Sequence, residues 1–461
     1  MTAARELVRY GHGVTVYEKN SFLGGMMTAG IPKFRLPRAV IDDEIKAIVD
    51  SGIDVKLEEE VNASRLSTMI DDYDTTLVTI GAWRPSDLNL PGLEPGMEYS
   101  GIDFMWKYNF SEMGDMRGQH VVIVGGGFTA VDCARSCARA ARQLVGEEGH
   151  VTIMYRRTEA QMAANPDELE EMRTENIEIE SLMSPVRART EDGKLKAVIF
   201  RRNMLGEAPA GHKPPISPIE DSEFEVPCDL LVVAVGQVRQ IDVIPDHVHF
   251  NHQERNHETS HEKVFVAGDF SYGGVDIINA VEDGKQAAAA IDTKLMGTTR
   301  LKKHVAVEEV FTNGETGRVR DHDVQPPKHI SILPLTQRDG TAEVELGFDS
   351  EARDIAATRC YFCHYKFEID QDKCIHCDWC IKVAPRDCIK KVSRLFNDED
   401  GAVKLEVEAS LAEEATFIWI DSDQCIRCGN CLRICPTEAI SMRKMDLRTC
   451  AVSKVSEMIK E

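Results

Sequence analysis

The chain has 461 residues, enough for two or three domains that each bury a core. Its formal net charge is −23, with 77 acidic against 54 basic residues, which argues against nucleic acid and anionic membrane surfaces as partners. No apolar run is long enough to span a bilayer and no basic-then-apolar leader opens the sequence, so neither a membrane segment nor a signal peptide is expected. Most of the 14 cysteines have metal-ligand spacing, which favours thiolate ligands in a reducing cytoplasm over disulfides.

Helices alternate with short apolar strands before residue 300. Periodicity predicts a helix at Thr2–Tyr10 that ends at Gly11. Strands are predicted at Val14–Tyr17, 76–80, 120–124, 151–155, Leu230–Val235 and Val264–Ala267. This alternation predicts a doubly wound α/β fold. Residues 300–355 show little periodicity and are predicted to form a linker, and residues 396–415 are predicted to be a polar insertion.

A glycine motif marks a nucleotide site. Gly125-x-Gly127-x-x-Ala130 follows the strand at 120–124 and opens a helix predicted to run through Arg142. The first glycine permits the tight turn, the second lets the backbone approach a pyrophosphate, and the small third residue lets helix and strand pack closely. The helix N-terminus attracts the phosphates. This order of strand, turn and helix predicts dinucleotide binding.

The following strand indicates which dinucleotide is preferred. It ends in Tyr155-Arg156-Arg157, where a site for NAD(H) usually carries an acid for the ribose hydroxyls. Two guanidinium groups suit a 2′-phosphate instead, so NADP(H) is favoured and NAD(H) stays possible. The alternative is that both arginines are simply solvated.

Two acids indicate a flavin site. Glu18 ends the strand after the first helix, the position of an acid that holds an adenosine ribose. The run Val266–Asp269, followed by Gly273-Gly274 and a helix from Val275, resembles the second flavin signature, in which the aspartate contacts the ribityl–pyrophosphate stretch. The alternative for Asp269 is an ordinary turn residue between strand and helix.

Residues 1–295 resemble the flavoprotein family of the glutamate synthase small subunit. The resemblance is carried by Gly24-Gly25, Gly30–Pro37, Gly81-Ala82-Trp83, Gly125–Asp132, Met154–Arg157 and Gly268-Asp269. It implies that FAD and NAD(P)H bind in two interleaved Rossmann domains, the second inserted in the first. By position it implies contacts to FAD at Glu18, Gly25, Arg35 and Asp269, and contacts to NADP(H) at Gly127, Arg156 and Arg157. The further residues predicted to bind a cofactor are Gly81, Gly125, Ala130 and Gly268. Phe128 departs from the family, which commonly has Asn there, and leaves the detail of the phosphate turn open.

The family's first strand and its Gly-x-Gly-x-x-Gly loop would precede Met1, because the sequence begins inside the helix that follows that loop. Loss of a central strand from a parallel sheet would expose both neighbours and remove the flavin pyrophosphate site. We therefore expect an incomplete chain or a start assigned to an internal Met. The alternatives are a strand supplied by another polypeptide and a genuine loss of FAD.

Two cysteine runs predict a pair of iron–sulfur clusters. In Cys425-x2-Cys428-x2-Cys431-x3-Cys435-Pro436, three thiolates suit one cube and the fourth typically reaches the neighbouring cube. An upstream run provides its partner thiols. In the usual arrangement, one [4Fe–4S] cluster is bound by Cys374, Cys377, Cys380 and Cys435, and the other by Cys425, Cys428 and Cys431 with a fourth ligand at position 384.

The cysteine pattern departs from that arrangement at position 384, which is Ala. Cys388, four residues further on, is the predicted replacement; if it does not reach, the site would hold a three-iron or labile cluster. Cys360-x2-Cys363 is a third pair, for which another metal site and two buried thiols are equally supported. Four further cysteines lack ligand spacing and are predicted to be small buried hydrophobes, namely Cys133, Cys137, Cys228 and Cys450. The histidines at 247, 249, 252, 257 and 261 are predicted to be solvated.

Six segments are predicted from these features. They are an FAD-binding part at 1–112, an NAD(P)H-binding domain at 113–238, a second FAD-binding part at 239–298, a linker at 299–358, an α+β bacterial-ferredoxin-like domain with two [4Fe–4S] clusters at 359–445, and a tail at 446–461.

The predicted function is a cytoplasmic oxidoreductase that passes electrons between NAD(P)H and a ferredoxin or a partner redox subunit. FAD and the clusters carry that chemistry, so no catalytic side chain is predicted. A hetero-oligomeric complex is expected. The alternatives are the electron-donating small subunit of a glutamate synthase and a non-catalytic relay or scaffold subunit.

Overall fold

The protein is described by a computed structural model that covers residues 1–114, 116, 119–143, 150–208, 213–251, 257–274, 276–298, 303–311, 326–359, 362–397, 403–409 and 416–451. The chain divides into two compact units: residues 1–300 with 332–346, and residues 301–331 with 347–461. In these described ranges, every helix is too short or too polar to cross a bilayer.

The first unit opens with short strands and helices up to residue 85. They are α1 (Thr2–Tyr10), β1 (Thr15–Tyr17), α2 (Gly25–Ala29), α3 (Arg38–Val49), β2 (Asp54–Lys56), α4 (Ala63–Asp72), β3 (Thr76–Val78) and β4 (Arg84–Pro85). The first helix has the predicted bounds. Its apolar face buries Ala3 and Leu7, and Gly11 ends it with φ of 90° while its N–H donates to the carbonyl of Val8.

The middle of the first unit contains a five-stranded sheet. The helices and strands of this region, in chain order, are β5 (Glu98–Ser100), α5 (Gly101–Asn109), β6 (His120–Val124), α6 (Phe128–Gln143), β7 (His150–Tyr155), α7 (Pro166–Thr174), β8 (Ile177–Ser181), β9 (Met183–Glu191), β10 (Lys194–Leu205), β11 (Ile216–Pro218), β12 (Phe224–Pro227), β13 (Leu230–Val233) and β14 (Gln237–Val238). The sheet order is β5-β13-β6-β7-β8, with all pairs parallel. The predicted strands at 120–124, 151–155 and Leu230–Val235 are therefore present, and the predicted doubly wound α/β class is confirmed.

The five-stranded sheet lies between two segments of the chain, residues 1–85 and 264–296, which we call the flavin-type part of the fold. After it come β15 (Val264–Val266), α8 (Asp269–Tyr272) and α9 (Ile277–Met296), so the predicted helix starts at Ile277, and Val275 lies outside the described residues. β15 pairs in parallel with β3, although the five-stranded sheet lies between these two strands in sequence. β4 pairs with β14, one strand before and one strand after the five-stranded sheet in sequence. β5 pairs with β13 and so belongs to this sheet, although it lies within residues 1–112, which are predicted to form the first FAD-binding part.

The flavin-type part forms two separate parallel pairs among the described residues, β1 with β2 and β15 with β3. All three residues of β1 are only half-buried, whereas those of β15 are buried. The N-terminal helix is anchored on α9, where His12 Nε2 lies 2.7 Å from the buried Asp292 Oδ1. The expectation of a strand before Met1 stays a prediction.

The remaining elements follow residue 300, and most of them belong to the second unit. They are β16 (Lys303–Phe311), β17 (Ser331–Ile332), β18 (Glu345–Gly347), α10 (Ser350–Thr358), β19 (Tyr365–Ile369), α11 (Trp379–Val383), β20 (Ile389–Asn397), β21 (Val403–Glu408), β22 (Phe417–Ile420), α12 (Asn430–Ile434) and β23 (Ile440–Ala451). Antiparallel sheets of order β16-β23-β19 and β21-β20-β22 carry the two short cysteine helices. The predicted linker 299–358 thus contains a strand and a helix, and β23 runs into the predicted tail, because β16 finds its partner far along the sequence.

Candidate functional site

A continuous cleft of about 2270 Å³ in the first unit brings the predicted cofactor residues together. Its lining includes Glu18, Gly25, Arg35, Gly81, Gly125, Gly127, Arg156, Arg157, Gly268 and Asp269. Ala130 is absent from the lining because it is fully buried beneath the glycine turn. The residues predicted for two different nucleotides therefore share one cleft.

The glycine turn between β6 and α6 has the form that a pyrophosphate requires. A Cβ at Gly125 would lie 2.3 Å from the carbonyl oxygen of Ala234 and 3.3 Å from the Cβ of Ala130, so neither position tolerates a larger residue. A Cβ at Gly127 would meet nothing within 4 Å, so this backbone faces open space where a ligand can approach. The predicted division of labour among these residues agrees with this geometry. Phe128, the first residue of α6, lines the cleft and is 53% exposed.

The two arginines after β7 differ in their surroundings. Arg156 is exposed and makes no ion pair or side-chain hydrogen bond with any described residue. Arg157 is half-buried, and its Nε donates to the carbonyl of Pro214 at 3.0 Å. Both line the cleft at the end of the strand, where the ribose of a bound dinucleotide falls in this fold. Arg156 is therefore free to bind a ligand phosphate.

The flavin-type residues lie at strand ends and helix starts of the same cleft. Glu18 directly follows β1, and its Oε1 accepts a hydrogen bond from the backbone N–H of Asn20 at 2.8 Å. Gly24 and Gly25, with φ of 98° and 51°, start α2 in a conformation that side chains avoid. Gly81, with φ of 75°, follows β3. This arrangement fits a dinucleotide whose adenosine ribose reaches Glu18.

Asp269 starts α8 directly after β15. Burial, and secondarily the charge of Asp283, raise the pKa of Asp269. Asp283, on α9, is 2% exposed and accepts a hydrogen bond from the backbone N–H of Gly268. The predicted signature is thus held from behind by a buried acid that the sequence analysis did not single out.

His257 corrects the prediction that the histidines of this region are solvated. It is 7% exposed, and its Nδ1 lies 3.7 Å from Asp283 Oδ1. His247 and His249 are exposed as predicted, and His252 lies outside the described residues. His257 is buried because the segment at residues 257–258 folds back on β15, where the N–H of Val266 donates to the carbonyl of His257, a contact that the polar local sequence does not indicate.

Arg35 has protein partners that the sequence analysis did not foresee. Its guanidinium lies 2.9 Å from Asp132 on α6 and 2.7 Å from Glu168 on α7, and so joins the flavin-type part to the inserted domain. Burial raises the pKa of Asp132 to about 6, although Arg35 acts in the opposite direction. The Nη2 atom of Arg35 is buried and has no hydrogen-bond partner among the described residues. Its predicted role toward FAD stays a prediction.

A second buried ion cluster ties residues 332–346 to the inserted domain. Arg338 Nη1 contacts Glu171 at 2.7 Å and Glu175 at 2.6 Å. Glu175 also binds Arg135 and Arg139. Burial alone would raise the pKa of Glu175, but these arginines lower it overall. The cluster is structural, since none of these five residues lines the cleft.

In the second unit, four predicted ligands of one cluster line a single small cavity. They are Cys374, Cys377, Cys380 and Cys435. The backbone N–H of Ala439 donates to Cys435 Sγ at 3.3 Å, the type of bond that tunes a cluster. The described residues contain no group of three or more His, Cys, Asp or Glu placed for a single metal ion. Four thiols around one cavity nevertheless fit the donor set of a cube, whose irons spread the ligands apart.

The other cysteine run has the same backbone. His376 and Asp378 have φ of 52° and 65°, and the matching Arg427 and Gly429 have φ of 56° and 75°. The N–H of Cys374 donates to the carbonyl of Asp370 at 3.0 Å, and that of Cys425 donates to the carbonyl of Asp421 at 2.9 Å. The two runs therefore form a structural repeat.

The repeat places Cys388 at the position of Ala439. The N–H of Asp421 donates to the carbonyl of Cys388, as the N–H of Asp370 does to that of Ala439, both at 2.8 Å. Ala439 lines the first cavity, so Cys388 faces the equivalent place beside the second run. The Cys388 thiol is hydrogen-bonded to Cys425 and near Cys431 and Cys428, and this contact raises its pKa. Cys388 is therefore placed on the same side of the second run as the predicted ligands, in contact with Cys425.

The remaining cysteines are divided. Cys133, Cys137 and Cys228 are buried, as predicted. Cys363 is exposed, and its partner Cys360 lies outside the described residues. The side chain of Cys450 lies outside the described part as well.

A glycine turn that lines a large cleft in one unit and a thiol-lined cavity in the other are the arrangement expected of a Rossmann-type fold with an iron–sulfur module. The model of the family described as pyridine nucleotide-disulphide oxidoreductase matches residues 1–291, and that of the 4Fe-4S binding domain matches residues 418–441. The chain belongs to the pyridine nucleotide-disulphide oxidoreductase family and also contains a C-terminal 4Fe-4S binding domain.

Relatives extend the similarity across most of the chain. It is 30% identical over 380 residues to the NADP(+)-dependent formate dehydrogenase subunit beta of Moorella thermoacetica, covering 79% of this chain and 53% of that one. It is 27% identical over 314 residues to the glutamate synthase [NADPH] small chain of Escherichia coli, covering 63% and 65%. The predicted family resemblance is thereby confirmed. The chain spans between about half and two thirds of the length of these relatives.

A solved structure supports the fold independently. FprA of Mycobacterium tuberculosis in complex with NADPH superposes with a TM-score of 0.56 at 18% identity, over 64% of this chain and 82% of that one. At this identity the likeness concerns the fold alone.

Proposed function

We propose that this protein passes electrons between NADP(H) and a redox partner by way of FAD and two [4Fe–4S] clusters. The observation that carries the proposal is the single cleft lined by both sets of predicted nucleotide residues, from Glu18 and Asp269 to Gly127 and Arg156. When bound, FAD would supply the chemistry that links hydride transfer at nicotinamide to single-electron transfer. The chain's own residues bind and orient the two nucleotides.

The cofactor contacts follow from the positions described above. Glu18, Gly25, Gly81 and Asp269 would hold FAD, with Arg35 and Gly268 supporting them. Gly125, Gly127 and Ala130 would form the turn that receives the pyrophosphate of NADP(H), and Arg156 with Arg157 would bind the 2′-phosphate. The free guanidinium of Arg156 supports NADP(H) over NAD(H), because an unpaired cation in a chain of net charge −23 favours an additional phosphate.

Two ligand sets would hold the clusters. Cys374, Cys377, Cys380 and Cys435, which line one cavity, would hold the first cluster, and Cys388, Cys425, Cys428 and Cys431 would hold the second, supported by the contact of Cys388 with Cys425. Both sets are four thiols, the donor set of a [4Fe–4S] cube.

The partner is a redox protein, either a ferredoxin or a subunit of the same complex. Two relatives are a formate dehydrogenase subunit and a glutamate synthase small chain, which supports a hetero-oligomeric assembly for this protein. The net charge of −23 favours a basic surface on that partner.

The test is anaerobic spectroscopy of the protein purified from its source with whatever subunits accompany it. Stoichiometric flavin that NADPH bleaches supports an electron-transferring enzyme. A protein with intact clusters and no reducible flavin would instead be a relay subunit, and the proposal would be wrong.

A further inference from the structure

A lysine outside the predicted motifs precedes the residue that Arg157 contacts and lines the same cleft as both arginines. Lys213 precedes Pro214, in the segment between β10 and β11, and its side chain is exposed and lines the nucleotide cleft. Lys213 lies 56 residues after Arg157, too far along the sequence to be part of a motif with it. Folding of the β9–β12 sheet returns it to the end of β7.

The ammonium group of Lys213 is placed at the glycine turn. Its Nζ lies 3.4 Å from the carbonyl oxygen of Gln161, which also accepts a hydrogen bond from the Tyr155 hydroxyl at 3.0 Å. The Tyr155 ring in turn packs against the turn itself, where a Cβ on Gly126 would lie 2.4 Å from the ring. Lys213 is therefore linked to the glycine turn through the carbonyl of Gln161 and the side chain of Tyr155.

Arg157 fixes the segment that carries Lys213. The hydrogen bond from Arg157 Nε to Pro214 holds the residue next to Lys213 against the end of β7. Arg157 thus donates one hydrogen bond to the protein through its Nε, and its two terminal nitrogens can bind a ligand. Arg156 has no side-chain partner among the described residues. An ammonium has three N–H donors, so Lys213 retains two after its contact with Gln161.

We propose that Lys213 is a specificity-determining residue that binds the 2′-phosphate of the dinucleotide together with Arg156 and Arg157. This inference rests on the proposed NADP(H) site and adds to it a residue from a different part of the fold. A compact, flexible point charge complements the two planar guanidiniums around a phosphate. The three cations lie in a strongly acidic chain, where a local positive site favours a doubly charged phosphate group.

The test uses the full-length protein as isolated and measures, by calorimetry, the dissociation constants of adenosine 2′,5′-bisphosphate and adenosine 5′-monophosphate. Lys213→Gln should weaken binding of the bisphosphate about tenfold and leave the monophosphate within about twofold. Lys213→Arg should restore most of the preference. Lys194→Gln, at the exposed start of β10 and away from the cleft, is the matched control and should bind like wild type.

The outcomes separate this inference from the function on which it rests. If the wild-type protein prefers the bisphosphate and Lys213→Gln keeps the full preference, Lys213 has no role, but the NADP(H) site stands. If the wild-type protein shows no preference, the NADP(H) site and the role of Lys213 both fail. A loss in Lys213→Gln that affects both nucleotides equally would also overturn the inference, because it would indicate a general effect on the cleft.

Discussion

Replacement of Cys388 by Ala tests how the second cluster is held. In the structural repeat, Cys388 occupies the place of Ala439, and its thiol is hydrogen-bonded to Cys425. The usual ligand position, 384, is Ala, so the substitution would leave the second run with three thiols. A cube with three thiolate ligands typically loses the iron at the open corner or falls apart.

The iron count follows from the two ligand sets. Eight thiols in two groups of four predict two cubes and about eight irons per chain in anaerobically prepared protein. Cys388→Ala should reduce this to about seven, with a three-iron signal in the oxidised electron paramagnetic resonance spectrum, or to about four if the second cluster is lost.

A rescue variant provides the control. Cys388→Ala combined with Ala384→Cys restores the usual ligand position and should return the count to about eight irons. An unchanged iron count in Cys388→Ala, or a stoichiometric three-iron signal already in the wild-type protein, would refute the assignment. Markedly more than eight irons in wild type would instead point to Cys360 and Cys363 as additional ligands.

Three further predictions concern the first unit. Replacing Arg156 and Arg157 together by Ala should raise the KM for NADPH at least tenfold and leave that for NADH nearly unchanged, because only NADPH carries the 2′-phosphate; equal effects on both would contradict it. Arg338→Ala should lower the melting temperature by several degrees, since loss of a charged bond to buried Glu171 and Glu175 costs about 1.5–3 kcal/mol, whereas the exposed control Arg353→Ala should change it little. Burial raises the pKa of Asp132 to about 6 in the folded protein. The stability that this raised pKa provides is fully present below the pKa of Asp132 in the unfolded chain and is lost as pH rises through about 6. Lowering the pH from 7 to 5 should therefore raise the melting temperature of the wild type relative to that of Asp132→Asn, and parallel curves would contradict this.

Local sequence patterns predicted the parts of the fold that depend on neighbours in the chain. The strand at 120–124, the glycine turn and the helix after it are set by consecutive residues, and the helix Thr2–Tyr10 by its own periodicity. The two cysteine runs have the same spacing, and their loops have matching backbone angles in the structure.

The missed features depend on contacts between distant residues. β16 was predicted to be linker because its partner β23 is far along the chain. The partners of Arg35, the burial of His257 and the position of Lys213 each depend on segments that approach only in the folded unit. Periodicity within a segment contains no information about such partners.

The central claim is electron transfer from NADPH to the clusters, and freeze-quench electron paramagnetic resonance measures it most directly. The anaerobic protein, with its accompanying subunits, is mixed with NADPH. Flavin absorbance should fall first, and signals of reduced [4Fe–4S] clusters should then appear. The number of electrons found in flavin and clusters at the end should equal the number that NADPH has supplied. NADH at equal concentration should act more slowly. Flavin that is bleached by NADPH while the clusters stay oxidised, even when their potentials permit reduction, would contradict the account.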